Sequence, residues 1–333
     1  MKRRTFLHRL GYTGIGLSLF PSPKKSLHKS KEVSVGMIGL DTSHATAFTK
    51  ILNDPQADTD VSGFRVSHAY PHGSHSIESS YSRIPRYTQE MKEMGVVITD
   101  SIEALLDKVD VVLLETNDGR LHLEQAKMVF EAGKPTFIDK PIAASLSDAI
   151  QIFDLAQQHG VPVFSASSLR FGPSTVAVAN NQIGKIIGAT TYSPAKLEPS
   201  HPDLFWYGIH GVESLFTVMG TGCEQVRRIY TAGTDTVIGE WKDGRIGTFR
   251  GLRDGKQSYG GTAFGTKGIT EVGAYEGYRP LVVEIASFFR GGPPPVSPEE
   301  TLEIFAFMAA AEESKHRNGA PVRLETVMQA ARK

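Results

Sequence analysis

The chain has 333 residues, 40% of them hydrophobic, a single cysteine, and 36 basic against 36 acidic side chains. That length suits two domains with ordinary cores, and the absence of a long apolar run argues against a membrane span. The charge is laid out unevenly: residues 1–30 hold seven Lys or Arg and no acid, which leaves 29 basic and 36 acidic residues, a net of −7, for the rest. An acidic body without a basic patch excludes nucleic acid as the expected partner. Lone Cys223 cannot form an intrachain disulfide, so cysteine usage does not decide the compartment.

Lys2-Arg3-Arg4-Thr5-Phe6-Leu7 resembles a twin-arginine export motif, and Gly11 to Phe20 follows as a mild apolar stretch too short to span a bilayer. Residues 1–30 therefore read as an export signal and linker, and the expected location is the periplasm. No small-residue cleavage site is visible.

Val33 to Ile38 reads as a buried first strand, and Ala45 to Leu52 carries helical periodicity ended by Asn53-Asp54-Pro55. Gly63 to Ala69 is the second strand, and residues 71–86, rich in Ser, His, Pro and Gly, read as a loop. A helix at 90–94, a strand at 96–98 and a Ser101-capped helix through Leu106 come next. Then follow a strand at 109–114, a helix at 123–132, a strand at 136–138, a helix at 147–159 and a strand at 161–164. Strands alternating with helices imply parallel βαβ units with right-handed crossovers, hence a doubly wound α/β sheet of Rossmann type over residues 31–170.

After Arg170-Phe171-Gly172-Pro173 the rhythm changes. A helix near 174–182 precedes strands at 186–191, 225–230, 236–240 and 246–250, joined by Gly-rich hairpin turns. A helix from Leu281 to Phe289 and another from Leu302 to Lys315 close the chain, the latter with Ser297 as N-cap, Pro298 at N1 and Glu300 at N3. Residues 171–333 thus read as an α+β domain on a mostly antiparallel sheet. No internal repeat is present.

Segment 131–149, EAGKPTFIDKPIAASLSDA, is the most informative stretch. A Lys-Pro pair closing a short β-branched strand puts Lys140 at the carboxyl end of a buried parallel strand, where open α/β sheets build ligand sites. The segment resembles the Gfo/Idh/MocA family of sugar and polyol dehydrogenases, whose comparable stretch reads AGK-x-V-x-x-EKP-x-A. The similarity runs over roughly residues 33–325. It implies NAD or NADP as cofactor, a small sugar or glycoside as substrate, and a homodimer or homotetramer.

The cofactor loop departs from that pattern. A dinucleotide fold needs glycines after the first strand for a tight turn, close approach to pyrophosphate and helix packing. Here the loop is Gly39-Leu40-Asp41-Thr42-Ser43-His44, with Asp41 and His44 where the second and third glycines belong. Asp41 either faces the phosphate at a cost in affinity or turns away and caps the helix. Thr42 and Ser43 still offer hydroxyl and N–H groups at a helix N-terminus. No acid for the adenosine ribose stands at Ala69-Tyr70-Pro71.

By resemblance, Lys140 lies near the nicotinamide and the reacting hydroxyl, with Asp139 in place of the usual glutamate. Desolvation is expected to lower its pKa toward the range useful for proton transfer. The family's D-x-x-x-H motif appears as Trp206-Tyr207-Gly208-Ile209-His210, so His210 matches the acid/base histidine while Trp206 replaces its aspartate. Tyr207 or Glu213 is expected to compensate, and Trp206 to stack on a sugar ring. Thr116, Asn117 and His122 match a loop that contacts the nicotinamide ribose, although Asn117 or Asp118 would equally cap the next helix. Arg170 resembles the family's R-F pair at the domain junction. Neither His201, His210 and Glu213 nor His68, His72 and His75 has tight metal-ligand spacing, so no metal is expected.

These residues predict an oxidoreductase acting on a carbohydrate CH–OH group with a tightly held NAD(P), Lys140 and His210 forming the acid/base pair. Two alternatives stand beside it. One is redox-neutral glycoside cleavage through a 3-keto intermediate; the other is a sugar-binding protein that has lost the nucleotide.

Overall fold

A computed structural model describes residues 32–333 as one compact unit. The predicted export segment, residues 1–30, lies outside the described residues.

Six strands form the first sheet: β1 (Val33–Ile38), β2 (Phe64–Tyr70), β3 (Val97–Ile98), β4 (Val111–Leu114), β5 (Thr136–Ile138) and β6 (Val163–Phe164). Their order is β3-β2-β1-β4-β5-β6 and every pairing is parallel. The direction of winding reverses between β1 and β4, which makes the crevice above their carboxyl ends the ligand-binding position of such a sheet. Val111 to Leu114 and Thr136 to Ile138 are buried at every position, as strands covered on both faces must be. Helices α1 (Ser43–Leu52), α2 (Glu78–Tyr81), α3 (Ile84–Glu93), α4 (Ile102–Leu106), α5 (His122–Glu131) and α6 (Leu146–His159) connect the strands. The stretch expected to be a loop, 71–86, contains α2 and the start of α3. Neither begins with a side-chain cap, and α3 buries Tyr87 and Met91.

Two glycines decide how closely the layers approach. A Cβ on Gly36 would lie 2.6 Å from Leu105 of α4, and one on Gly39 would lie 2.5 Å from the Thr116 backbone nitrogen, at a φ of 89°. Gly39 therefore lets the loop after β1 touch the loop after β4, a contact no larger residue permits.

The second sheet has seven strands in the order β12-β11-β7-β10-β9-β8-β13. They are β7 (Ile186–Pro194), β8 (Cys223–Thr231), β9 (Thr234–Trp241), β10 (Ile246–Leu252), β11 (Gly260–Gly265), β12 (Gly268–Val272) and β13 (Val322–Arg323). Only β7 and β10 pair in parallel; the other contacts are antiparallel, as expected. Helices α7 (Pro173–Ala179), α8 (Ile209–Met219), α9 (Arg279–Phe289), α10 (Pro298–His316) and α11 (Leu324–Ala331) complete the chain. One face of this sheet buries α8 and α10, through Leu215, Phe216, Phe305 and Phe307. The other face exposes Ile187, Ile229, Ile246 and Ile269.

Helix α9 does not stay with its own sheet. Leu281, Val282, Ile285 and Phe288 pack with Val35, Phe48 and Phe137 against the first sheet. That return brings Tyr278, just ahead of α9, onto the amino end of α1. No helix among the described residues is long and apolar enough to cross a membrane.

Candidate active site

The carboxyl ends of β4 and β5 and the first turn of α1 converge on a cavity of about 380 Å³, within the usual range for small-molecule sites. Thr42, Ser43, His44, Asn117 and Lys140 line it from the first sheet. Lys196, Glu198, Trp206, Tyr207, His210 and Tyr259 line it from the second half of the chain.

Asp139 follows directly on β5 and is fully buried. Its Oδ1 accepts the Lys140 N–H at 2.8 Å, while Oδ2 lies 3.4 Å from Lys140 Nζ and 2.9 Å from His44 Nδ1. The His44 contact is short, but its geometry is not that of a straight hydrogen bond. Burial alone would push the Asp139 carboxyl up. His44 and Lys140 outweigh it and hold the group well below the usual carboxylate range.

Lys140 corrects an expectation. Burial does push its pKa down, but the Asp139 carboxylate more than offsets that, and the net shift is upward. Lys140 is an ammonium at neutral pH, a hydrogen-bond donor and positive charge rather than a base.

Glu115, at the end of β4, is also fully buried, and neither carboxylate oxygen has a partner among the described residues. Burial, reinforced by Asp139, raises its pKa well above the ordinary value and so favours its neutral form. Ligand-type atoms of His44, Glu115 and Asp139 lie within 4.8 Å of one another. The Lys140 ammonium already supplies the positive charge on the shared Asp139 oxygen that a cation would supply.

His210 sits in the first turn of α8. Its Nδ1 is 2.8 Å from Ser167 Oγ, and the edges of Tyr207 and Tyr259 pack against the ring. Burial, with the charge of Lys140 in support, pushes its pKa well below the ordinary histidine value. It is therefore the neutral imidazole of the site. Trp206 lines the cavity with its ring 4.9 Å from that of His201.

Four expected site residues are placed elsewhere by their partners. Glu213 accepts Ser167 N–H at 2.8 Å and Arg170 Nε–H at 2.9 Å, and Arg170 also donates to Glu300 at 2.6 Å. Arg170 and Glu213 thus tie α8 to α10, and neither lines the cavity. His122 is fully buried with its ring nitrogens 3.1 Å from Ile142 O and 2.6 Å from Thr116 O, which pins the loop after β4 to the one after β5. Thr116 is buried behind that loop, with a hydroxyl that has no partner among the described residues.

Asp41 answers neither of its expected roles. Thr42 is the N-cap of α1, accepting His44 N–H. The Asp41 carboxylate instead accepts the N–H groups of Ser74 and Asn117 at 2.9 and 3.0 Å, tying together the loops after β1, β2 and β4. A Cβ on Gly73 would fall 2.2 Å from it, so that glycine is what lets the β2 loop come so close. Asp118 caps nothing either: it accepts from Ser74 Oγ and from Arg120, and α5 begins only at His122. The zinc combination of His201, His210 and Glu213 is not assembled, because His201 faces Asp118 at 3.5 Å while Glu213 is held by Arg170.

Local pattern gave no sign of Ser167, Arg83, Lys196, Tyr259, Tyr275 or Tyr278. All but Ser167 line the cavity, yet they come from loops and helix ends scattered between positions 83 and 278. Tyr275 and Tyr278 reach it because α9, which follows them, packs back on the first sheet.

Residues 33–167 match the oxidoreductase family with an NAD-binding Rossmann fold, Gfo/Idh/MocA. An uncharacterized oxidoreductase of Escherichia coli, YhhX, is 26% identical over 135 residues, 37% of this chain and 39% of that protein. A D-xylose 1-dehydrogenase (NADP(+)) of Haloferax volcanii is 27% identical over 160 residues, 43% and 48% of the two chains. These relatives are therefore matched over less than half of their own length. Among solved structures, scyllo-inositol dehydrogenase of Lactobacillus casei with bound NAD(H) and scyllo-inositol superposes with a TM-score of 0.71 at 17% identity, covering 89% of this chain and 100% of the other. A probable dehydrogenase of Thermotoga maritima gives 0.71 at 22%, with 89% and 100% covered. Residues 33–167 are thus similar to the NAD-binding Rossmann domain of the Gfo/Idh/MocA oxidoreductases, on a chain with the overall fold of solved dehydrogenases.

Proposed function

We propose that this chain is an NAD(P)-dependent dehydrogenase of a small carbohydrate or polyol. The observation that carries the reading is one cavity lined by both the Lys140 ammonium and the neutral His210 imidazole. The family context supports the cofactor, as does the xylose dehydrogenase relative.

The residues present suit one half of such a cofactor better than the other. Thr42 and Ser43 at the amino end of α1, with Arg83 nearby on the cavity wall, suit a phosphate. Asn117 and Lys140, with the unpartnered Thr116 hydroxyl behind them, suit the nicotinamide ribose. The adenosine end lacks the usual acid after β2, and Asp41 fills the space beside the β2 loop. When bound, NAD(P) supplies the hydride acceptor.

The chain's own residues handle the proton. Lys140 donates a hydrogen bond to the substrate hydroxyl oxygen and stabilises negative charge as it develops there. The free nitrogen of His210 accepts the hydroxyl proton, and Ser167 holds the ring in place. Tyr207 and Tyr259 fix the ring from its sides. Trp206 and the surrounding tyrosines offer apolar faces to a sugar ring.

Lys140→Met and His210→Asn should each lower kcat by roughly two to four decades. The double variant should be little worse than either single one, since groups acting as a unit are not additive. The acid limb of the kcat/KM profile should lie below the ordinary histidine value of 6.5. A base with a depressed pKa stays unprotonated until pH falls through that lower value, and activity is lost only there. Near-normal turnover in both single variants would place the chemistry elsewhere.

The exposed isoleucines on the second sheet support a homodimer or homotetramer built on that face. Light scattering should give a mass of two or four chains, and a single-chain mass would contradict it. The arginine pair near the amino terminus supports export to the periplasm. Replacing Arg3 and Arg4 together by Lys should leave the protein in the cytoplasm; unchanged export would refute the assignment.

A further inference from the structure

Alcohol oxidation by Lys140 and His210 moves one proton and leaves His44 unused. His44 stands where the family has a glycine, and its ring lies between the first turn of α1 and the ends of β4 and β5. Phe48 stacks on it at 5.4 Å and Tyr278 meets it edge-on at 4.6 Å, so the ring plane is fixed from two sides. Its Nδ1 faces Asp139 Oδ2 at 2.9 Å, the same oxygen that lies 3.4 Å from Lys140 Nζ.

A carboxylate beside Nδ1 keeps the hydrogen on that nitrogen and leaves Nε2 as the acceptor. Nε2 takes part in no hydrogen bond or ion pair among the described residues, and His44 lines the cavity. This is the arrangement of a general base oriented by a third group. Glu115, 3.8 Å from Nδ1, is the only other acid paired with the ring among the described residues. His210, by contrast, has a serine rather than a carboxylate behind it. One cavity therefore presents two imidazoles and, with Lys196, two ammonium groups, more than the transfer of a single hydroxyl proton requires.

We propose that His44, backed by Asp139, is a second general base, which removes a proton from the carbon next to a carbonyl group whose oxygen is held by Lys140. The ligand class is a ketose or keto-polyol, a choice that rests on the polyol reading above. The C–H bond breaks and its proton passes to His44 Nε2. The electron pair forms a C=C bond, and the carbonyl π pair moves onto oxygen, giving an enediolate opposite the Lys140 ammonium. Return of a proton to carbon restores the ketone, so no oxidant or reductant is consumed. In D₂O the returning hydrogen is deuterium.

The test uses the purified protein without added nicotinamide and scyllo-inosose, the ketone of scyllo-inositol, in D₂O, followed by proton NMR. The wild type should replace the hydrogens flanking the carbonyl with deuterium faster than buffer does. His44→Gln and Asp139→Asn should each slow that exchange by roughly a hundredfold, the scale of positioned acid–base catalysis. Exchange no faster than buffer, or an unchanged rate in His44→Gln, overturns the proposal. Oxidation of NADH by the same ketone is read separately. Reduction without exchange leaves the dehydrogenase reading intact and removes this one; exchange without reduction does the reverse. Histidine ¹⁵N NMR of the ligand-free wild type keeps the proposal testable even if the variants do not fold. His44 should carry its hydrogen on Nδ1 with Nε2 bare, and the opposite tautomer overturns the assignment.

Discussion

A buried carboxylate organises this site. Asp139 has no exposure to solvent, and leaving it unpaired there would cost several kcal/mol. It is satisfied on every side by the Lys140 backbone N–H, the Lys140 ammonium and the His44 ring. Each partner is in turn fixed by the demand. Lys140 stays charged although it is only 8% exposed, and His44, in the first turn of α1, faces the carboxylate at the end of β5. The short strand β5, buried at all three positions, delivers the carboxylate to that point.

The departures from the dinucleotide pattern have structural uses that spacing alone does not reveal. Asp41 replaces a glycine and becomes the knot between three loops. His44 replaces another and becomes the second partner of Asp139. Trp206 replaces an aspartate, and the vacated task of holding His210 falls to Ser167, a residue from a short turn well before α8. Arg170 and Glu213, which carry charges of the right kind for a site, neutralise each other at the junction of α8 and α10.

Much of the fold was legible because it rests on local signals. The buried runs of β1, β4 and β5 and the Ser101 and Ser297 caps stand where the sequence places them. Helix α2 and the first half of α3 did not show, since both helices begin without side-chain caps in a stretch of turn-forming residues. Strands β11 and β12 were also hidden: glycines dilute their alternation, and β7, on which β11 pairs, lies some 70 residues earlier. In the site, Lys140, Tyr207 and His210 could be read from two short motifs, and all three line the cavity. His122 could not be assigned from its motif, because its burial depends on carbonyls of two other loops. The tyrosines follow no local rule: Tyr275 and Tyr278 depend on the path into α9, and Tyr259 stands just before the hidden strand β11.

The claim on which the rest turns is that Asp139 keeps Lys140 charged against the cost of burial. Removing the carboxylate in Asp139→Asn leaves burial unopposed by its main counter-charge, so the lysine pKa should fall below the ordinary 10.5. Titration of the Lys140 side chain by ¹³C NMR in the wild type and in Asp139→Asn measures this directly. The account predicts a value above 10.5 in the wild type and below it in the variant. A Lys140 that titrates alike in both proteins would contradict it.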